Sequence, residues 1–199
     1  MNRNYRLILA SASPRRQQLM RDAGLPFEVR LKPVPELYPA ALPPEEVPEY
    51  LARLKAKPFA GELLPDEMLI TADTVVCING KIIGKPGDRE EAIAMLTELS
   101  GNRHLVVTGV CITTNARQLS FSAHTHVYFR DLREDEIRHY VDHYQPFDKA
   151  GAYGIQEWIG YTGIERIEGS FYNVMGLPIQ KLYQALDRWP DQETAINHP

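Results

Sequence analysis

The chain of 199 residues carries 22 basic and 26 acidic side chains, a formal net charge of −4 at pH 7. That balance offers no broad attraction for nucleic acid or an anionic membrane, so any anion-binding surface has to be local. The length suits one domain that folds without disulfides or structural metal. Cys77 and Cys111 stand in apolar runs at no metal-ligand spacing, which makes them buried, unreactive thiols.

In chain order, a polar start precedes Leu7-Ile8-Leu9, a run too short for a signal peptide or a membrane span. It reads as a buried strand, and a cytoplasmic location is expected. Ser13 followed by Pro14 pairs a helix cap with a first-turn proline, opening a helix striped by Leu19, Met20 and Ala23 and stopped by Gly24. Residues 27–44 are proline-rich and carry Glu36; beyond them Val47, Tyr50, Leu51 and Leu54 share one helix face, with Lys55 near its end. Leu69-Ile70-Thr71-Ala72 and Val75-Val76-Cys77-Ile78 read as strand on either side of Asp73-Thr74, which puts Asp73 at a strand end. Asn79-Gly80 is a two-residue hairpin signal into Lys81-Ile82-Ile83, and Gly84-Lys85-Pro86 breaks the pattern.

Asp88 with Glu91 forms a capping arrangement for a helix carrying Ala92, Met95, Leu96 and Leu99, ended by Ser100-Gly101-Asn102. Residues 105–113 and 123–129 look extended and are expected to pair, and residues 134–144 make a helix with Ile137, Tyr140, Val141 and Tyr144 on its apolar face. Residues 147–176, rich in glycine and aromatics, are too irregular for one long element; Pro178 starts a last helix, and residues 191–199 are expected to be a disordered tail. This alternation predicts an α/β fold, a twisted mixed sheet in two lobes with a central cleft, forming a single domain over residues 1–190.

Three features carry candidate chemistry. Ala10-Ser11-Ala12-Ser13-Pro14-Arg15-Arg16 gathers two hydroxyls, two guanidinium groups and free helix N–H groups, which suits a polyphosphate; a plain helix cap with solvated arginines fits it equally well. Asp73, ionised at neutral pH, can bind a divalent cation, take a proton from water or cap a turn. Lys55 and Lys85 are in isolation ordinary surface lysines, although Gly84 and Pro86 restrain Lys85 enough to suit a preorganised anion contact, and Lys149 is similar. His124 and His126 share one strand face, but no third ligand accompanies them and an exposed polar face accounts for both. Tyr140, Tyr144 and Tyr183 suit a core or an interface better than a base-stacking platform.

Taken together, Ser11-Ala12-Ser13-Pro14-Arg15-Arg16, Ala72-Asp73-Thr74-Val75-Val76, Gly84-Lys85-Pro86, Leu99-Ser100-Gly101, the run from Asp148 to Gln156 and the run from Gly169 to Pro178 resemble, in order and spacing, the Maf family. The resemblance implies a fold similar to inosine triphosphate pyrophosphatases and commonly a homodimer. It also implies a hydrolase that cleaves a nucleoside triphosphate between the α and β phosphorus atoms with Mg2+ or Mn2+, a house-cleaning activity linked in some members to cell division.

By the same resemblance Asp73 is the proton acceptor, Ser11, Arg15, Arg16, Lys55 and Lys85 bind substrate phosphates, and Glu36 with Asp73 lies at the metal. Pro35 stands where the family usually has a further acidic residue. Arg15, Thr74 and Gln156 resemble the specificity set of the branch acting on dTTP and UTP. A glutamine amide can pair with both the N3–H and a carbonyl of uracil or thymine, whereas a glutamate only accepts. The rival expectations are the same fold acting on CTP or 7-methyl-GTP, and a nucleotide-sensing regulator that binds without turnover.

Overall fold

The computed structural model describes residues 5–189, so the expected tail lies outside the described residues. Seven strands form one sheet: β1 (Arg6–Leu9), β2 (Phe27–Val29), β3 (Glu67–Ile78), β4 (Lys81–Ile83), β5 (Arg103–Thr113), β6 (Gln118–Phe129) and β7 (Ile164–Glu168). Their order is β2-β1-β3-β5-β6-β7, with β4 on β3. β1 runs parallel to β2 and β3, and every other pairing is antiparallel. Helices α1 (Pro14–Asp22), α2 (Val47–Ala56), α3 (Arg89–Leu99), α4 (Glu134–Tyr144), α5 (Trp158–Gly163), α6 (Phe171–Val174) and α7 (Ile179–Asp187) cover it. Among the described residues no helix is long and apolar enough to cross a membrane.

The local signals act as expected at the helix starts. Ser13 Oγ accepts the Arg16 N–H at 3.4 Å with Pro14 in the first turn of α1, and Asp88 accepts the Glu91 N–H at 2.9 Å to open α3. Two edge strands were not anticipated. β2 has two of its three residues exposed, and the Ile-Glu-Arg-Ile-Glu of β7 leaves its charged side chains in solvent, so neither carries the apolar run that marks a buried strand. β6 begins at Gln118 rather than at 123, because β5 recruits a partner along its whole length, from Arg103↔Tyr128 to Thr113↔Gln118.

Asp73 needs a correction. It does not end a strand: β3 runs unbroken from Glu67 to Ile78 and Asp73 sits near its middle, opposite Gly109. Pairing with β5 from Leu69 to Cys77 carries the backbone straight through the Asp-Thr step. The other edge of β3 is divided. β1 covers Glu67 to Ile70 and β4 covers Val76 to Ile78, so residues 71–75 face a gap where neither strand reaches.

Alternation along β3 assigns the two faces. Leu69, Val75 and Cys77 lie under α2, packed with Ala52, Ala56, Val47 and Leu51. On the opposite face, Met68, Ile70 and Ala72 join Leu19 and Met20 of α1 and Leu182 of α7. Farther along that face Val76 and Ile78 join Leu96 of α3 and Tyr140 of α4, and Met175 packs against both clusters. These are the two expected lobes, and the gap in the β3 edge opens between them.

Helix α2 lies unusually close to the sheet. A Cβ on Gly109 would come within 2.2 Å of the Glu49 nitrogen, so only the missing side chain lets the first turn of α2 touch the strand. Thr71 Oγ1 fixes the middle of the helix by donating to the Ala52 carbonyl at 2.6 Å. Its last turn then delivers Lys55 beside Asp73.

Candidate active site

The gap borders a cavity of about 840 Å³ lined by residues from α1, α2, β3, β4 and the loops around them. Successive side chains of a strand point to opposite faces, so Asp73 turns toward α2 and Thr74 toward α1. Lys55 Nζ lies 2.6 Å from Asp73 Oδ1 and 2.9 Å from Glu36 Oε1. Asp73 is buried, and that burial pushes its carboxyl above the usual carboxylate range, with the charges of Lys55 and Arg16 pulling the other way. A carboxylate made more basic in this way is a better proton acceptor near neutral pH.

Asp73 and Glu36 bracket one positive charge, and a divalent cation could take the same position between them. Among the described residues no group of three or more histidine, cysteine, aspartate or glutamate side chains could hold a metal ion. Two carboxylate oxygens on one cation are the donor type of a hard ion such as Mg2+ or Mn2+ that brings most of its own ligands as water and phosphate oxygen.

The two arginines of the opening loop have different surroundings. Arg16 donates from Nε to the Gly176 carbonyl at 2.7 Å, from one terminal nitrogen to the Ala72 carbonyl at 2.9 Å and Ser11 Oγ at 3.3 Å, and from the other to Thr74 Oγ1 at 3.0 Å. Four of its five N–H groups are thus committed to the protein. Burial works against its charge and Asp73 offsets part of that cost. Arg16 thereby satisfies a carbonyl of β3 at the gap, and the expected phosphate ligand has one N–H left to offer. Arg15 points away from this knot to Asp148 Oδ2 at 2.9 Å, partly exposed at the cavity wall.

Lys85 is exposed at the cavity wall and makes no ion pair among the described residues. The Gly151 N–H donates to the Gly84 carbonyl at 2.9 Å and so ties its loop in place. Thr74 Oγ1 also lies 2.9 Å from Thr108 Oγ1, so its hydroxyl works inside the wall. Gln156 lines the cavity; its Oε1 is buried and has no hydrogen-bond partner among the described residues. A lone buried acceptor of that kind costs about 1–3 kcal/mol unless something donates to it.

All the anticipated site residues, Ser11, Arg15, Arg16, Glu36, Lys55, Asp73, Thr74, Lys85 and Gln156, border this one cavity. His124 lies in a separate hollow, its Nε2 3.9 Å from Glu45 Oε2. Cys77 and Cys111 are buried, and burial pushes the Cys77 thiol up to about 11. Gly109 was missed, although a lone glycine within a run of valine, threonine and isoleucine is itself a sign of close backbone approach. Lys149 is buried, as its setting among small residues suggests, while the partners of Glu157 and Tyr140 have no local signal at all.

The sequence model for Maf-like proteins matches residues 6–189. A dTTP/UTP pyrophosphatase of Bacteroides thetaiotaomicron is 57% identical over 185 residues, which is 92% of this chain and 96% of the relative. One of the same description from Parabacteroides distasonis is 51% identical over 92% of this chain and 96% of its own. Among solved structures, a HAM1 protein from Coxiella burnetii aligns over 93% of this chain and 100% of its own with a TM-score of 0.48 and 18% identity.

Proposed function

The chain belongs to the Maf family, and from that premise we propose that it hydrolyses dTTP and UTP to the nucleoside monophosphate and pyrophosphate. The observation that carries this reading is the convergence of a buried, basic-shifted Asp73 with Lys55 and Glu36 at the gap in the β3 edge. The names of the relatives support it, and so does the place of Gln156 in the cavity lining.

In this mechanism Ser11, Arg15, Lys55 and Lys85 bind the triphosphate and spread its charge, while Arg16 holds the loop that carries Ser11 against β3. Asp73 orients a water molecule and takes its proton as the water oxygen bonds to the α-phosphorus. The bond from that phosphorus to the bridging oxygen breaks, and its electron pair leaves with pyrophosphate. Glu36 and Asp73 would hold the Mg2+ or Mn2+, whose charge stabilises the phosphate oxygens in the transition state.

The base is read by Gln156, which lines the cavity. Its amide can accept from the N3–H of uracil or thymine and donate to the carbonyl beside it, whereas cytosine presents a bare acceptor at N3. A glutamine whose oxygen faces the base favours uracil and thymine over cytosine. The test is a panel of canonical and modified nucleoside triphosphates incubated with Mg2+ or Mn2+. Monophosphate plus pyrophosphate from dTTP and UTP is the expected result. Orthophosphate plus a diphosphate, or no turnover of any nucleotide, would overturn it.

A further inference from the structure

Gln156 stands on a turn that is pinned from several directions by residues outside the mechanism above. The Glu157 N–H donates to the Gly154 carbonyl at 3.0 Å, closing a four-residue turn with Gln156 at its third position. Tyr140 of α4, fully buried, accepts the Gly154 N–H at its hydroxyl at 3.0 Å and donates that hydroxyl to Glu157 Oε2. Tyr161 donates to the Gln156 carbonyl at 2.7 Å. The Glu157 side chain folds back over the turn so closely that a Cβ on Gly154 would sit 2.7 Å from its Cδ, so a larger residue there would push the carboxylate aside.

The chain of contacts continues away from the turn. Lys149 Nζ lies 3.1 Å from Glu157 Oε1 and 2.7 Å from Asp148 Oδ1, and Asp148 Oδ2 accepts from Arg15 at 2.9 Å. Lys149 is buried, a costly place for an ammonium unless both carboxylates are there to receive it. A continuous run of charge-assisted bonds thus joins Arg15, at the start of α1, to the turn that presents Gln156, although 141 positions separate the two in the chain.

We infer that Tyr140, Lys149 and Glu157 are positioning residues for base selection, holding the turn that carries Gln156 in register with Arg15. The inference rests on Gln156 reading the base. A rigid mount matters here because a turn displaced by about 1 Å carries the amide out of hydrogen-bonding distance of the base edge, and the preference that the amide supplies would be lost. Tyr140 suits the task, since burial first of all, then its bond to Glu157, keeps the phenol protonated and always a donor to the carboxylate.

The test uses Tyr140→Phe and Glu157→Gln, both nearly isosteric, with Gln156→Ala as the reference, and kcat and KM measured separately for UTP and CTP alongside Tm. Losing one orienting hydrogen bond should lower the UTP-over-CTP preference in kcat/KM by about fivefold to tenfold. The change should fall on KM, with kcat for UTP within about twofold of the parent, since neither residue contacts the phosphates. If Gln156→Ala abolishes the preference while both other variants keep it, the positioning role is overturned and the base-reading role of Gln156 stands. The role is overturned equally if both variants lower kcat/KM for UTP and CTP in parallel with Tm, because a merely structural contribution behaves that way. If Gln156→Ala leaves the preference unchanged, Gln156 does not read the base and the inference falls with it.

Discussion

Gly109→Ala puts one methyl group between β5 and α2, and the structure says how far the helix has to move. The added Cβ would lie 2.2 Å from the Glu49 nitrogen and 2.3 Å from the Pro48 carbonyl carbon, and both are backbone atoms that no rotamer change can clear. Ordinary contact begins at 3.4 Å, so the first turn of α2 must withdraw by about 1.2 Å. Overpacking of this kind costs about 1–3 kcal/mol, which for a domain of this size lowers Tm by roughly 2–12 °C.

The same displacement reaches the chemistry, because Gly109 is the cross-strand partner of Asp73 and α2 carries Lys55. Withdrawal strains both the 2.6 Å Lys55–Asp73 contact and the Thr71–Ala52 hydrogen bond. A misplacement of about 1 Å in a catalytic constellation commonly costs on the order of a hundredfold in rate. Urea denaturation and pyrophosphate release from UTP, measured on the same preparation, check the two halves. A Gly109→Ala protein with the stability and kcat of its parent would refute the idea that α2 is seated on that glycine.

Other variants separate roles that the motifs lump together. Arg16→Ala strands the carbonyls of Ala72 and Gly176 and should cost about 2–4 kcal/mol in denaturant unfolding, whereas Arg15→Ala removes a partly exposed pair and should stay within about 1 kcal/mol of the parent while turnover falls. Asp73→Asn should cut kcat by a hundredfold or more with no loss of Tm, since the ionised form of that side chain is disfavoured by burial in the folded protein; turnover near that of the parent would rule out a proton acceptor there. Glu67 is held down to about 2 by its bonds to Arg30 and the Leu64 N–H. A carboxyl depressed on folding stabilises above its ordinary 4.5 and loses that contribution as pH falls toward 2, so Glu67→Gln should be less stable than the parent at pH 7 by about 1–2 kcal/mol, the solvent-exposed arginine limiting the gain. The difference should close between pH 4.5 and 2 in an acid unfolding series.

What could be read in advance was whatever a few neighbouring residues determine. Ser13-Pro14 and Asp88 with Glu91 begin helices because capping is settled within one turn, and Asn79-Gly80 makes its hairpin for the same reason. Aspartate and threonine side by side resemble a turn, so the sequence reads as two strands there; pairing with β5, whose Gly109 stands 36 positions beyond Asp73, overrides that local preference. β2 and β7 gain their order from the strand beside them and little from their own side chains. The site followed the same division. Motif spacing located its members, but the division of labour between Arg15 and Arg16 and the pairing of Tyr140 with Glu157 depend on contacts between distant segments that no local pattern encodes.

The gap in the edge of β3 leaves about 17 Å of that edge with no neighbouring strand, the length of five extended residues, while β5 pairs the other edge throughout. An open edge normally invites another chain to add its own strand. Here it is recessed between two packed lobes, so a ligand can enter where a foreign strand is screened out. Gln156 and Arg15, on its walls, stand outside the hydrophobic clusters that hold the lobes together, although Tyr153 and Ile155 beside Gln156 belong to one of them. Evolution can therefore exchange those wall residues and redirect the cavity to a different base without renegotiating the stability of the scaffold.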